Sequence, residues 1–212
     1  QLGFNVDYAP VADVLTNPGN TAIGTRSFGS DASMVADMVI KELEGLSSQG
    51  VFGAVKHFPG QGGVSGDSHD GAVTLDKSLE ELMQTELVPF QKALENGVSF
   101  VMVVHISVPQ VVGDNTPASL SQMMVSNVLR EQLGYQGIVI TDAMNMGAVT
   151  GNYTADQAAV MAVNAGVDMI LMPQDYETAY NGLLQAVQDG TISEERIDES
   201  VERIVKVKLQ MQ

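Results

Sequence analysis

One segment, KHFPGQGGVSGDSHD at residues 56–70, concentrates groups able to move protons or hold a polar ligand. It carries Lys56, His57, Asp67, His69 and Asp70, and with them two of the chain's 3 histidines. Imidazole titrates near neutrality, so such a histidine can accept and return a proton without deep burial. Far along the chain the apolar run GIVITDA (137–143) carries Asp142 near its end. A carboxylate held at the end of a stiff strand can serve as a nucleophile. Asp13, Asn17 and His105 also stand at the ends of apolar runs. Two chemistries use groups of this kind. One is covalent catalysis by a carboxylate assisted by a histidine acid/base. The other is a metal-dependent barrel hydrolase with Lys56, His57, His105 and Asp142 as ligands and Asp67 and His69 as a further pair, although the paired His-x-His expected of such a site is missing.

These groups need a scaffold, and the apolar patterning supplies one. Strand-length, β-branched runs occur at 5–11, 51–55, 98–106, 137–143 and 167–173. Between them lie helical patterns. The first spans about 30–48, with Met34, Met38, Leu43 and Leu46 near helical spacing and Gly50 as its stop. A second opens on a Ser78–Glu81 capping box and runs toward Asn96-Gly97, and a third covers 122–133. Thr154–Gln157 begins a fourth that ends at Ala165-Gly166, and helices near 175–189 and 193–210 follow. Near-continuous apolar strands alternating with helices imply a parallel sheet covered on both sides. No GxGxxG or P-loop is present, and the polar groups gather just past the strands, so a (β/α)8 TIM-type barrel is favoured over a doubly wound sheet. About five βα units are read here, so residues 1–212 are expected to form a partial barrel domain whose N-terminal units are missing. The strand at 5–11 would then be an exposed edge through which chains could associate.

Composition narrows the partners. The 212 residues include 10 Lys plus Arg against 26 Asp plus Glu, a formal net charge of -16. That balance argues against a nucleic-acid backbone or an anionic membrane surface and suits a neutral ligand. No apolar run approaches a membrane span, and 0 cysteines exclude disulfides and thiolate zinc sites. Localisation is left open. The 12 methionines are read as core.

Four strings then carry a family resemblance: NPGNTAIGTRSFG (17–29), KHFPGQGGVSGDSH (56–69), PASLS (117–121) and GIVITDAMNMGAV (137–149). In this order they resemble the motifs of glycoside hydrolase family three, in its β-N-acetylglucosaminidase branch. The terminal SVERIVKVKLQ resembles the closing helix of that family's barrel domain. The resemblance implies a barrel that removes terminal N-acetylglucosamine from a carbohydrate substrate with retention of configuration, without metal or cofactor. It places the nucleophile at Asp142 and the acid/base at His69, backed by Asp67. Residues i and i+2 of an extended segment project to one side, so the Asp67 carboxylate could orient the His69 ring. The resemblance further assigns sugar hydroxyls to Lys56, His57 and Arg26. Met144 and Met146 are expected to pack around the acetamido group. Glycines 60, 62, 63 and 66 are expected to let the loop swing over the sugar. The chain departs from the family's usual pattern at Gln61, where a histidine is common, and at Gly63. A phosphorylase using the same residues stays open, since a histidine acid/base repels phosphate less than a carboxylate would. A catalytically silent glycan-binding barrel also stays open.

Overall fold

The computed structural model describes residues 3–68 and 71–211. Its strands are β1 Val6–Asp7, β2 Phe52–Phe58, β3 Val73–Thr74, β4 Phe100–Val103, β5 Ile106–Ser107, β6 Ile138–Ala143 and β7 Met169–Leu171. Its α-helices are α1 Ala32–Ser47, α2 Leu79–Gln84, α3 Val88–Glu95, α4 Pro109–Val112, α5 Gly147–Thr150, α6 Ala155–Ala165, α7 Tyr176–Gln188 and α8 Glu194–Gln210. Helix Met123–Gln132 is wound more widely; at its end Leu133 N–H reaches Val128 O at 2.9 Å, a five-residue bond.

Five strands form one parallel sheet in the order β1-β2-β4-β6-β7. The sheet curls into part of a (β/α)8 barrel, with β1 and β7 at its two ends. Register explains its layers. Val55, Val101 and Val139 align across β2, β4 and β6 and join a cluster with Val35 and Val39 of α1, Phe90 of α3 and Met124. One residue earlier, Ala54, Phe100 and Ile138 align on the other face, where Ile204 and Val207 of α8 pack against them. Alternation along a strand thus serves two apolar faces, as a covered parallel sheet requires.

Several elements differ from the sequence expectation, each for a local reason. The strand expected at 5–11 is regular only over Val6–Asp7, because Pro10 has no N–H to give the ladder. The chain still runs beside β2, with Ala54 N–H reaching Ala9 O at 2.8 Å and Lys56 N–H reaching Pro10 O at 3.1 Å. β2 extends beyond 51–55 and takes in Lys56 and His57, with a register shift between Val55 and Phe58. The run 98–106 breaks at Val104-His105, after which β5 pairs with β3 in a separate two-stranded ribbon. The helix from 78 toward 97 divides at Thr85, and Pro89 begins α3 in the first turn, where its missing N–H is harmless. Met34, Met38, Met123 and Met172 are exposed, so the methionines are not uniformly core, and α1 buries Val35, Ala36 and Val39 instead of Met34 and Met38.

The strand-start end of the sheet is bound by one carboxylate. Asp168, with a fully buried side chain, accepts Arg130 Nη2–H at 2.6 Å, Ser200 Oγ–H at 2.7 Å, Val139 N–H at 2.9 Å and Arg203 Nη1–H at 3.1 Å. Arg130 also donates to Gly166 O and Gly137 O, and Arg196 to Val163 O and Val167 O. This network joins helix Met123–Gln132, β6, β7 and α8. Removing one partner of a buried ion pair strands the others without water, at a typical cost of about 3–5 kcal/mol. Asp168→Ala is therefore expected to lower unfolding free energy by about that amount in urea titrations, and a loss under about 1 kcal/mol would show that the network contributes little.

Candidate active site

The strand ends opposite Asp168 carry the polar groups. A cavity of about 180 Å³ there is lined by Tyr8, Arg26, Lys56, His57, Gln61, Asp67, Met102, Asp142, Met146 and Leu171. Ligand sites are often larger, roughly 300–1,000 Å³. Larger cavities of about 710 and 580 Å³ open near the strand starts, along Gly97–Ser99, and hold none of the candidate groups. Chemistry at the C-terminal ends of parallel strands is what a barrel of this class is built to support.

Each wall has a local origin. Asp142 closes the buried run Ile138–Thr141, and Ala143 N–H donates to its Oδ1 at 2.8 Å, which leaves the other oxygen unbonded among the described residues. His57 and Lys56 sit at the end of β2. Asp13, with no exposed surface, accepts His57 Nδ1–H at 2.6 Å through Oδ2. A carboxylate can only accept, so Nδ1 carries the hydrogen and Nε2 is the ring nitrogen left to meet a ligand. Asp13 Oδ1 accepts Gln61 N–H at 2.6 Å and His57 N–H at 3.4 Å. Burial pushes the Lys56 ammonium below its usual range, Arg26 nearby pushes the same way, and Asp142, Asp7 and Asp13 oppose both. Arg26 donates to Ala22 O at 2.6 Å from an exposed position.

The turn after β2 is packed from both sides. A Cβ at Gly60, whose φ is 121°, would lie 2.7 Å from Glu86 Cβ; at Gly63 it would lie 2.8 Å from Thr16 Oγ1; at Gly62 it would collide with Val14 O. Asn20 Nδ2 donates to Gln61 O at 2.6 Å, and Asn17 Nδ2 to Val64 O at 3.0 Å. Beneath them the buried Glu86 carboxylate accepts from Lys77 Nζ at 2.5 Å and Thr16 Oγ1 at 3.2 Å. Glycines 60, 62 and 63 are thus sites of close approach, which corrects the expectation that they give the loop freedom to swing.

Among the expected site residues, the cavity gathers Arg26, Lys56, His57, Asp67 and Asp142. His69 lies outside the described residues. Of the two methionines expected there, Met146 lines the cavity, whereas Met144 does not reach it and is buried beside Val149, Tyr153 and Ile170. His105 supports from below. Its Nε2–H donates to Ala143 O at 3.1 Å, and its Nδ1 meets Ser119 Oγ at 2.7 Å, which ties the PASLS string to the Asp142 strand. Asp13, Gln61 and Ser68 are the residues that sequence reasoning left without a role. Asp13 was visible as a strand-end acid, but its partner His57 is distant in sequence, and no local spacing joins them. Among the described residues no three His, Asp or Glu side chains converge on a common point, and no helix is long and apolar enough to cross a membrane.

Comparison with known proteins places the chain in a family. The model of the glycosyl hydrolase family 3 N terminal domain matches residues 1–207. The chain is 37% identical to β-hexosaminidase LpqI of Mycobacterium tuberculosis, over 98% of this chain and 55% of that protein. It is 31% identical to β-hexosaminidase A of Pseudoalteromonas piscicida, over 99% of this chain and 38% of the relative. The solved family 3 β-N-acetylglucosaminidase of Paenibacillus sp. str. FPU-7 superposes with a TM-score of 0.97 at 41% identity, over 99% of this chain and 40% of that one. The chain therefore spans about two fifths to just over half the length of these relatives.

Two outcomes are expected at this site. Because the folded state depresses the Lys56 ammonium, its contribution to stability should rise as pH climbs through the depressed value toward the ordinary 10.5. Lys56→Met should accordingly raise the thermal midpoint, and a lowered midpoint would show that Lys56 is a net structural asset. Gly62→Ala should cost about 1–3 kcal/mol by forcing the turn off Val14. Unchanged melting would mean that the turn can yield.

Proposed function

The chain belongs to glycosyl hydrolase family 3, and from that membership we propose that it forms the nucleophile-bearing part of a retaining exo-β-N-acetylglucosaminidase. The observation that carries the reading is the convergence of Asp142, Asp67, Lys56, His57 and Arg26 on one cavity at the ends of parallel strands. Retaining hydrolysis needs a carboxylate that attacks the anomeric carbon from one side. It also needs a group on the other side that first protonates the leaving oxygen and then deprotonates water. Asp142 is the attacking group, with one oxygen steadied by Ala143 N–H and the other available. Asp67, with its sequence neighbour His69, forms the acid/base pair. Lys56, His57 through Nε2, and Arg26 hold ring hydroxyls. The relatives' names, β-hexosaminidase and β-N-acetylglucosaminidase, favour N-acetylglucosamine as the terminal unit. Peptidoglycan turnover fragments present that unit, as do chitin and other glycans.

Asp142→Asn in the full-length protein should lower turnover of an aryl N-acetylglucosaminide by at least about 10³-fold while leaving the melting curve unchanged. A slow fluorinated N-acetylglucosaminide should label Asp142, as peptide mass spectrometry would reveal. Label on a different carboxylate would sink the assignment. Running the reaction with and without phosphate, and identifying free or phosphorylated sugar, separates hydrolysis from phosphorolysis.

A further inference from the structure

Ser68 lies between Asp67 and His69 in sequence, yet its own surroundings are unlike those of an ordinary loop serine. It has no exposed surface. Its Oγ accepts Gln61 Nε2–H at 3.2 Å, and its carbonyl oxygen accepts Ala148 N–H at 3.1 Å. Both donors are themselves well anchored. Gln61 is held by Asp13 through its N–H and by Asn20 through its carbonyl, at 2.6 Å each. Ala148 stands in α5, directly after the DAMNM segment that carries Asp142, and Met146 of that segment lines the cavity. A continuous hydrogen-bonded path therefore runs from Asp13 beside β2, through Gln61 and Ser68, to the segment that follows β6. Each of the two contacts at Ser68 crosses between different walls of the site. The first runs through the Ser68 side chain and the second through its backbone carbonyl.

We propose that Ser68 is a positioning residue, which sets the Asp67 segment against the Asp142 segment through the Gln61 side chain and the Ala148 amide. This role deepens the glycosidase reading given above and rests on it. Errors of about 1 Å in the placement of a catalytic group can cost roughly 10²-fold. The loss should fall on the step that Asp67 serves. Departure of an alkoxide needs a proton, whereas a nitrophenolate leaves largely unaided, so a misplaced acid/base pair is felt mainly with alkyl substrates.

The test uses Gln61→Met, which keeps length and removes the donor, and Ser68→Ala, alone and together in the full-length protein. For each single variant kcat/KM should fall about 10- to 100-fold on an alkyl N-acetylglucosaminide and about tenfold less on the p-nitrophenyl substrate. The double variant should lose no more than the worse single one, since both remove one contact. Thermal melts identify a variant that fails to fold, and Gln61→Met keeps the test alive if Ser68→Ala does. Equal losses on both substrates, additive losses, or no loss would overturn the positioning role. No turnover of either substrate by the unmodified protein would overturn the glycosidase reading and this role with it.

Discussion

Asp13 directs both carboxylate oxygens at the segment that ends β2, taking His57 Nδ1–H on one and Gln61 N–H on the other, each at 2.6 Å. A carboxylate with no exposed surface is tolerated only when such bonds replace water. The constraint therefore works in both directions. Asp13 could not stay buried without those donors, and it in turn fixes the His57 ring and the Gln61 amide. His57 gains a defined tautomer, Lys56 is carried beside it at the cavity edge, and Gln61 is presented toward Ser68. The cavity wall on the β2 side follows from this one group.

Close packing, more than chain freedom, explains the glycine content of the same turn. Gly62 lies against the Val14 carbonyl, and Gly60 and Gly63 lie against Glu86 and Thr16. Each glycine lets backbone approach where a methyl group would intrude. The segment from Asn17 to Asn20 then closes over the turn through Val64 O and Gln61 O. A glycine-rich string read alone suggests mobility, because sequence displays the missing side chains and not the neighbours that occupy their place. Gly66 differs: its φ is 104°, and the nearest atom to an added Cβ is 3.7 Å away, so that position has the room the others lack.

Much of the architecture was legible because it depends on local periodicity. Parallel strands buried on both faces read as unbroken apolar runs, and all five were recognisable at 51–55, 98–106, 137–143, 167–173 and, less regularly, 5–11. Boundaries failed where a tertiary contact decided them. β2 continues through Lys56 and His57 because Pro10 O and Ala12 N–H pair with Lys56, a long-range fact. The split between α2 and α3 lets Glu86 turn inward beneath the loop, which no helical periodicity announces. At the site, Arg26, Lys56, His57, Asp67 and Asp142 were legible through motif likeness and strand-end position. That Met146 faces the cavity while Met144 turns away was not. Past the end of β6 the chain turns toward α5, Met144 N–H pairs with Leu171 O at 2.9 Å, and strand alternation no longer says which side chain faces the cavity.

The two ends of the sheet treat charge in opposite ways. At the strand starts, the Asp168 carboxylate is saturated by two guanidiniums, a hydroxyl and a backbone amide. At the strand ends, Asp142 has one bonded oxygen among the described residues, and Lys56 remains below its usual range despite three carboxylates nearby. Incomplete pairing of this kind weakens the folded state slightly, and the hydroxyls of a polar ligand would complete it. The saturated end tolerates that deficit by holding β6 and β7 together from below. Val139 and Asp142 lie on the same strand, so β6 meets a saturated carboxylate at its start and carries an incompletely bonded one near its end.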